Sequence, residues 1–223
     1  MSRRILALFL LILSPVPAVA GGLITHGPRE GRRVALTFDV CQKPGSPAGF
    51  DREIVALLRR EKVPATFFMG GDWMRTHPQE TRELAAGPLF ELANHSWSHP
   101  DLRTLDAAAI AAEARRTDDL LFELTGRRSR LFRLPYGWHD GRVLGELDKL
   151  GVAVIQWDTV TGDPDRNADA AAILRAVREQ ARGGSIIIMH ANGRGWHSAE
   201  ALPSVLARLR TQGLQPVTVS ELL

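Results

Sequence analysis

His95 and His99, in the stretch His95-Ser96-Trp97-Ser98-His99, stand four residues apart and form the most suggestive chemical pair in the chain. One helical turn or a tight loop can aim two imidazoles so spaced at a single divalent ion. Imidazole donors suit zinc, cobalt, nickel or iron, and the pair alone does not select among them. The ordinary alternative is two solvated histidines on a polar segment. Against it stands a pattern of ionisable and polar residues that end apolar runs elsewhere. Asp39 follows the run 34–38, Arg133 lies in the end of 131–134, Trp157-Asp158 closes 152–157, and His190 follows 185–189.

Those runs, with 65–69, 89–93 and 216–219, predict seven strands of ordinary length. Between them, apolar residues recur at a spacing near 3.6 over 51–62, 106–124, 168–182 and 199–210, with Asp, Ser or Thr often near the start, which predicts helices. Strand then helix, repeated, implies a parallel sheet. Seven such units suit a distorted or incompletely closed (β/α)7-type barrel, with a two-sided open sheet as the alternative that spacing does not exclude. In either architecture ligand sites gather at the carboxyl ends of the strands, and that is where Asp39, His95, Arg133, Trp157-Asp158 and His190 fall.

The order of four motifs adds a resemblance. Thr37-Phe38-Asp39, His95-Ser96-Trp97-Ser98-His99, Arg133-Leu134-Pro135-Tyr136-Gly137 and Ile187-Ile188-Met189-His190 make the chain resemble the polysaccharide deacetylases of carbohydrate esterase family four, the NodB homology group, from about residue 34 to the C-terminus. The resemblance implies a distorted barrel and a hydrolase that removes N-acetyl or O-acetyl groups from a polysaccharide or oligosaccharide. It implies one divalent ion, zinc first, on His95 and His99. By the same resemblance Asp39 is the base that takes a proton from the attacking water, Arg133 fixes its carboxylate, and His190 is the acid that protonates the leaving group. Asp163 matches the acidic partner of His190, with Asp158 as its rival. Pro135 and Tyr136 belong to the substrate loop, where the backbone N–H of residue 136 helps hold the oxyanion, and Trp157 or Trp196 offers a ring to the acetyl group or a sugar face.

Two positions depart from that pattern. The family usually carries a second Asp after the first, as third metal ligand, and this chain has Val40; it usually has Trp after the motif Asp, and this chain has Pro164. Asp39 itself, Cys41, Asp72 or water is left to complete the metal site, and Asp at position 40 is expected to tighten it if the backbone there follows the family. Two further readings follow: a metal-poor glycan-binding pseudoenzyme, or an amidohydrolase of a small non-glycan substrate.

The N-terminus reads as an address. Arg3-Arg4, an apolar run over 5–13 and Ala18-Val19-Ala20 fit a signal peptide over 1–20, followed by an extension over 21–33 and the catalytic domain over 34–223. An exported, periplasmic or secreted product is expected, with no membrane span in the mature chain. Without Arg3 and Arg4 the formal charge of +3 falls to about +1, which gives no reason to expect nucleic acid as a partner. Cys41 is the single cysteine, so the chain has no internal disulfide.

Overall fold

The computed structural model describes residues 22–223, so the signal peptide expected over 1–20 lies outside the described residues. The central strand β2 (Arg33–Val40) alternates as a strand covered on both faces must. Leu36, Phe38 and Val40 are fully buried in a large apolar cluster with helix residues such as Ile54, Leu58 and Leu202, while Ala35 packs in a second cluster with Phe68, Ala93, Ile155 and Ile186. The period of two therefore sends Thr37 and Asp39 to the inner face with Ala35. Phe67 ties the outer layer together, stacking on Phe38 at 5.2 Å and meeting Phe90 edge-on at 5.1 Å between ring centroids.

Around β2 the chain builds β3 (Ala65–Met69), β4 (Phe90–Asn94), β5 (Leu131–Phe132), β6 (Ala153–Ile155), β8 (Ile186–His190) and β9 (Gln215–Val217), which correspond to the seven expected runs. Two strands of two residues each, β1 (Leu23–Ile24) and β7 (Thr159–Val160), bring the sheet to nine. The order is β1-β6-β5-β4-β3-β2-β8-β7, with β9 pairing the start of β2, and every strand pairing is parallel. The result is a curled α/β sheet of the distorted-barrel type.

Part of the stretch expected as an extension, 21–33, takes part in this sheet. Leu23 and Ile24 pair with Val154 and Ile155, His26 forms an antiparallel bridge with Ser185, and Gly27 donates its amide to the Gly184 carbonyl at 2.8 Å. The segment thus links the β6 flank to the start of β8. Arg29 adds an ion pair to Asp158 at 2.7 Å.

The four expected helices form as α1 (Arg52–Arg60), α4 (Ala107–Thr125), α6 (Ala170–Gln180) and α7 (Ser198–Thr211). Shorter ones join them: α2 (Gly71–Thr76), α3 (Pro78–Ala85), α5 (Gly141–Lys149) and α8 (Val219–Leu222). Asp106, Asp140 and Asp169 cap α4, α5 and α6 by accepting from backbone amides at 2.8, 2.8 and 2.7 Å. Asp51, before α1, makes no such cap and accepts instead from the Gly193 amide at 2.8 Å, pinning a loop at the strand ends. A third apolar cluster, including Ile110, Phe132, Leu134, Val143 and Leu147, packs α4 and α5 against β5 and β6.

Candidate active site

Arg133 is the largest charged group buried in the molecule, with no exposed surface, and a buried charge demands a partner. Its Nη1 donates to Asp39 Oδ1 at 2.7 Å and to Thr37 Oγ1 at 2.9 Å, and Nη2 donates to the Gln156 carbonyl at 3.3 Å. The guanidinium carbon lies 3.8 Å from the centroid of Phe68, which presents its ring face to the charge. Burial alone would raise the Asp39 carboxyl. Arg133, followed by His95 and His190, outweighs burial and holds it below the ordinary carboxylate range.

His95 follows β4 and His99 ends the loop after it. Its tight turns use left-handed backbone at Ser96 (φ 65°) and His99 (φ 55°), so the pair is presented by a strained loop rather than by a helical turn. Glu113 on α4 clamps the loop, accepting from the Trp97 and Ser98 amides at 2.7 and 2.8 Å and from Ser98 Oγ at 2.8 Å. Asn94 accepts from the Ser96 amide at 3.0 Å. The Arg133 carbonyl, which can only accept, takes the Nδ1–H of His95 at 2.9 Å and leaves the Nε2 lone pair free, 3.5 Å from Asp39 Oδ2. His99 Nδ1 is buried without a hydrogen-bond partner. Burial lowers the His95 pKa, and burial with His95 beside it takes His99 down to about 3, so both rings are neutral near pH 7.

Cys41 joins this pair: one ligand atom from each of Cys41, His95 and His99 lies within 4.8 Å of the others. The donor set, two neutral imidazoles and a sulfur with an orphaned ring nitrogen among them, fits a divalent ion. Val40 is directed away, fully buried among Leu36 and Phe38, so position 40 is on the wrong face of β2 to reach the imidazoles. Asp72 is also elsewhere, bound to Arg75 at 2.8 Å and Gln42 at 3.0 Å.

His190 ends β8 in register with Asp39. The Asp163 carboxylate accepts from its backbone amide at 2.7 Å and from Nδ1 at 3.0 Å, and is itself held by Ser198 Oγ at 2.6 Å and Thr161 Oγ1 at 3.1 Å. Burial alone would lower the His190 pKa; the charge and hydrogen bond of Asp163 outweigh it and raise the imidazole above its ordinary range. Asp158, the rival for this role, is committed to Arg29, Ser185 Oγ and the Ile186 amide. Gly195 makes room for the arrangement, since a Cβ there would meet Ser198 Oγ and would lie 2.6 Å from both Asp163 Oδ2 and the His190 carbonyl.

Tyr136, at φ 59°, stands 37% exposed over the imidazole pair, its ring edge-on to His99 at 4.5 Å and its hydroxyl donating to the His99 carbonyl at 3.2 Å. Pro135 is buried and shapes the loop instead of offering a face. Trp138, which the motif reading passed over, is 47% exposed and 4.6 Å from the Tyr136 ring. Trp157 is partly buried against Gly137 and Arg133. Trp196, 43% exposed, is brought beside the Asp163-Pro164 turn by its backbone N–H, which donates a hydrogen bond to the Asp163 carbonyl at 3.2 Å. Asn192, in the loop after β8, is fully buried and donates to the Cys41 carbonyl at 2.7 Å.

Residues 26–155 match the family model described as polysaccharide deacetylase, and the chain belongs to that family. The matched stretch contains Asp39, His95, His99, Arg133 and Tyr136, with Asp163 and His190 beyond it. Several relatives are named as peptidoglycan or chitooligosaccharide deacetylases. One is the peptidoglycan-N-acetylmuramic acid deacetylase PdaC of Bacillus subtilis, 35% identical over 85% of this chain and 38% of its own length, so the chain spans well under half of that relative. Among solved structures, the Bc1960 peptidoglycan N-acetylglucosamine deacetylase aligns with a TM-score of 0.83 at 27% identity, covering 90% of this chain and 92% of that one. BA3943 of Bacillus anthracis, described as a CE4 family pseudoenzyme, aligns with a TM-score of 0.82 at 25% identity over 92% of this chain and 69% of that one. Among the described residues no helix is long and apolar enough to cross a membrane.

Proposed function

We propose that the chain is an exported, metal-dependent deacetylase that hydrolyses N-acetyl groups of a cell-wall or extracellular glycan, with O-acetyl groups as the variant substrate. The observation that carries the reading is the adjacency of Asp39 and His190 in one register. One is held ionised by Arg133 and the other held protonatable by Asp163, and they flank His95 and His99.

His95 and His99 would hold a divalent ion, zinc first, which would supply Lewis acidity for an acetyl carbonyl and a water. Asp39 takes the proton from that water, and Arg133 keeps its carboxylate aimed and ionised. Asp163 accepts from Nδ1 of His190, which leaves Nε2 to deliver a proton to the departing sugar amine. The left-handed turn at Tyr136 frames the acyl group, where its N–H can meet developing negative charge. Tyr136, Trp138 and Trp196 offer exposed rings to sugar faces.

Acetate release from N-acetylglucosamine oligomers, peptidoglycan and acetylated xylan, with and without chelation, tests the reading. The wild type should release acetate in a chelator-sensitive manner. Asp39→Asn should lose about 10² or more, the scale of a positioned general base. Chelator-resistant turnover, or an Asp39→Asn variant of undiminished rate, would overturn it. Export is tested by N-terminal sequencing of the secreted product, expected to begin after Ala20.

The competing reading is a glycan-binding pseudoenzyme. Val40 in place of a carboxylate favours it, as does the likeness to BA3943. Glycan binding without acetate release in the metal-loaded protein would select it.

A further inference from the structure

We propose that Cys41, as a thiolate, is the third protein ligand of the ion on His95 and His99, with Asn192 as the amide donor that steadies its sulfur. The proposal rests on the metal-dependent reading above and concerns the identity of the donor that residue 40 does not supply.

A lone buried cysteine is usually an inert apolar filler. Cys41 does not sit like one. It is buried, yet it belongs to none of the three apolar clusters among the described residues, and its sulfur is within 4.8 Å of ligand atoms of His95 and His99. His99 Nδ1, buried and unpaired, is a second mark of a missing ligand in the same cluster.

The backbone past β2 is pinned beside the site. β2 ends at Val40, and the chain there is held by two bonds, Gly70 N–H to the Val40 carbonyl at 2.8 Å and Asn192 Nδ2 to the Cys41 carbonyl at 2.7 Å. Gly70 allows the approach, because a Cβ there would lie 3.1 Å from both Cα and Cβ of Cys41. Held there, Cys41 brings its sulfur to the side of His95 and His99, unlike Val40. The same Asn192 nitrogen is 3.7 Å from the Cys41 sulfur, within the reach of an N–H···S bond. Donors of this kind orient a metal ligand and moderate its charge.

Rival donors are occupied. One Asp39 oxygen is taken by Arg133 and the other faces His95, so a sulfur ligand leaves that carboxylate free to act as base. On binding, the S–H bond breaks, a sulfur–metal bond forms and the proton passes to solvent. One thiolate with two imidazoles selects borderline-soft ions, zinc, cobalt or ferrous iron, over manganese or magnesium.

Cobalt titration of the metal-free full chain, followed by absorbance, tests this. One equivalent of Co(II) should produce a thiolate-to-cobalt charge-transfer band in the near ultraviolet. Cys41→Ser should lose the band and bind at least tenfold more weakly. Cys41→Asp should bind one Co(II) without the band, which also guards against a misfolded serine variant. Asn192→Ala should keep the band but weaken binding by roughly 10-fold. Co(II) binding by the wild type without the band, or unchanged affinity in Cys41→Ser, would overturn the thiolate and leave the deacetylase reading standing. Failure of the wild type to bind Co(II) would overturn both.

Discussion

Gly195 lies so close under Asp163 that a side chain at 195 would fall 2.6 Å from the carboxylate oxygen that also receives the His190 amide and the Ser198 hydroxyl. The loop after β8 can therefore reach Ser198 only with glycine at this point. Gly195→Ala should displace Asp163 and cost about 1–3 kcal/mol, the range for forcing extra carbon into packed space. Acetate release should fall at least tenfold. Thermal unfolding and turnover measured together check this, and an unchanged rate in the alanine variant would show that the carboxylate tolerates displacement.

Arg133→Leu leaves Asp39 buried without its cation, and losing one partner of a buried pair costs about 3–5 kcal/mol. The sign with pH follows from the depressed carboxyl. Its stabilising contribution is full above the ordinary value of 3.8 and is lost as pH falls through the lower folded value. The stability gap between wild type and Arg133→Leu should be widest near neutrality and narrow in acid, where Asp39 protonates in the variant. Denaturant unfolding at several pH values decides it. A gap independent of pH would mean that the lost guanidinium packing, not the charge, dominates.

His190 is raised above its ordinary 6.5 chiefly by Asp163, against the opposing effect of burial. An acid with a raised pKa stays protonated to higher pH, so the alkaline limb of the rate profile should lie above that value. Asp163→Asn should slide the limb toward lower pH as well as reduce the rate. The stability that the protonated imidazole contributes is present below 6.5 and disappears as pH rises through the raised folded value. A profile whose alkaline limb does not move in Asp163→Asn would remove His190 from the acid role.

Glu113 on α4 holds three donors of the loop that carries His95 and His99, all from Trp97 and Ser98 and none from an imidazole. Glu113→Ala should weaken metal binding by about 10–100-fold, as removal of supporting groups around ligands commonly does. Global stability should change less than for a core substitution. Calorimetric metal titration beside thermal unfolding separates the two effects.

Val40→Asp reverses an expectation drawn from the family pattern. With Val40 facing Leu36 and Phe38, a carboxylate there enters an apolar cluster and finds no ion, so the variant should be destabilised by several kcal/mol and gain no metal affinity. Tighter metal binding in a stable Val40→Asp variant would mean that the strand end can rotate.

The seven expected strands, the four helices and the rim residues were legible because each depends on an apolar run, local periodicity or ordered motifs. β1 and β7 were not, since Leu23-Ile24 and Thr159-Val160 lie in no apolar run of the length of 131–134, which revealed the equally short β5. Leu23-Ile24 forms a strand only because β6 offers an edge. Asp163 was the better motif match and Asp158 its rival in sequence, and tertiary contact separated them, one to His190 and the other to Arg29. Glu113 carried no motif signal, and Asn192 gave no sign of a place beside Cys41. Their distances along the chain from what they hold, 15 or 16 residues for Glu113 and 151 for Asn192, are set by the fold.

Of the four described non-glycine residues with left-handed backbone, three belong to the site: Ser96, His99 and Tyr136. Such residues each cost of order 1–3 kcal/mol, and glycine would adopt the same conformation freely. Selection for thermal robustness alone would therefore drift toward glycine at these positions, while selection for turnover opposes it. Ser96, whose side chain accepts the His99 amide at 3.2 Å, is where the two pressures can be separated. Ser96→Gly is expected to leave the fold as stable or more so while loosening the imidazole beside it, a trade between durability and aim written into a single backbone angle.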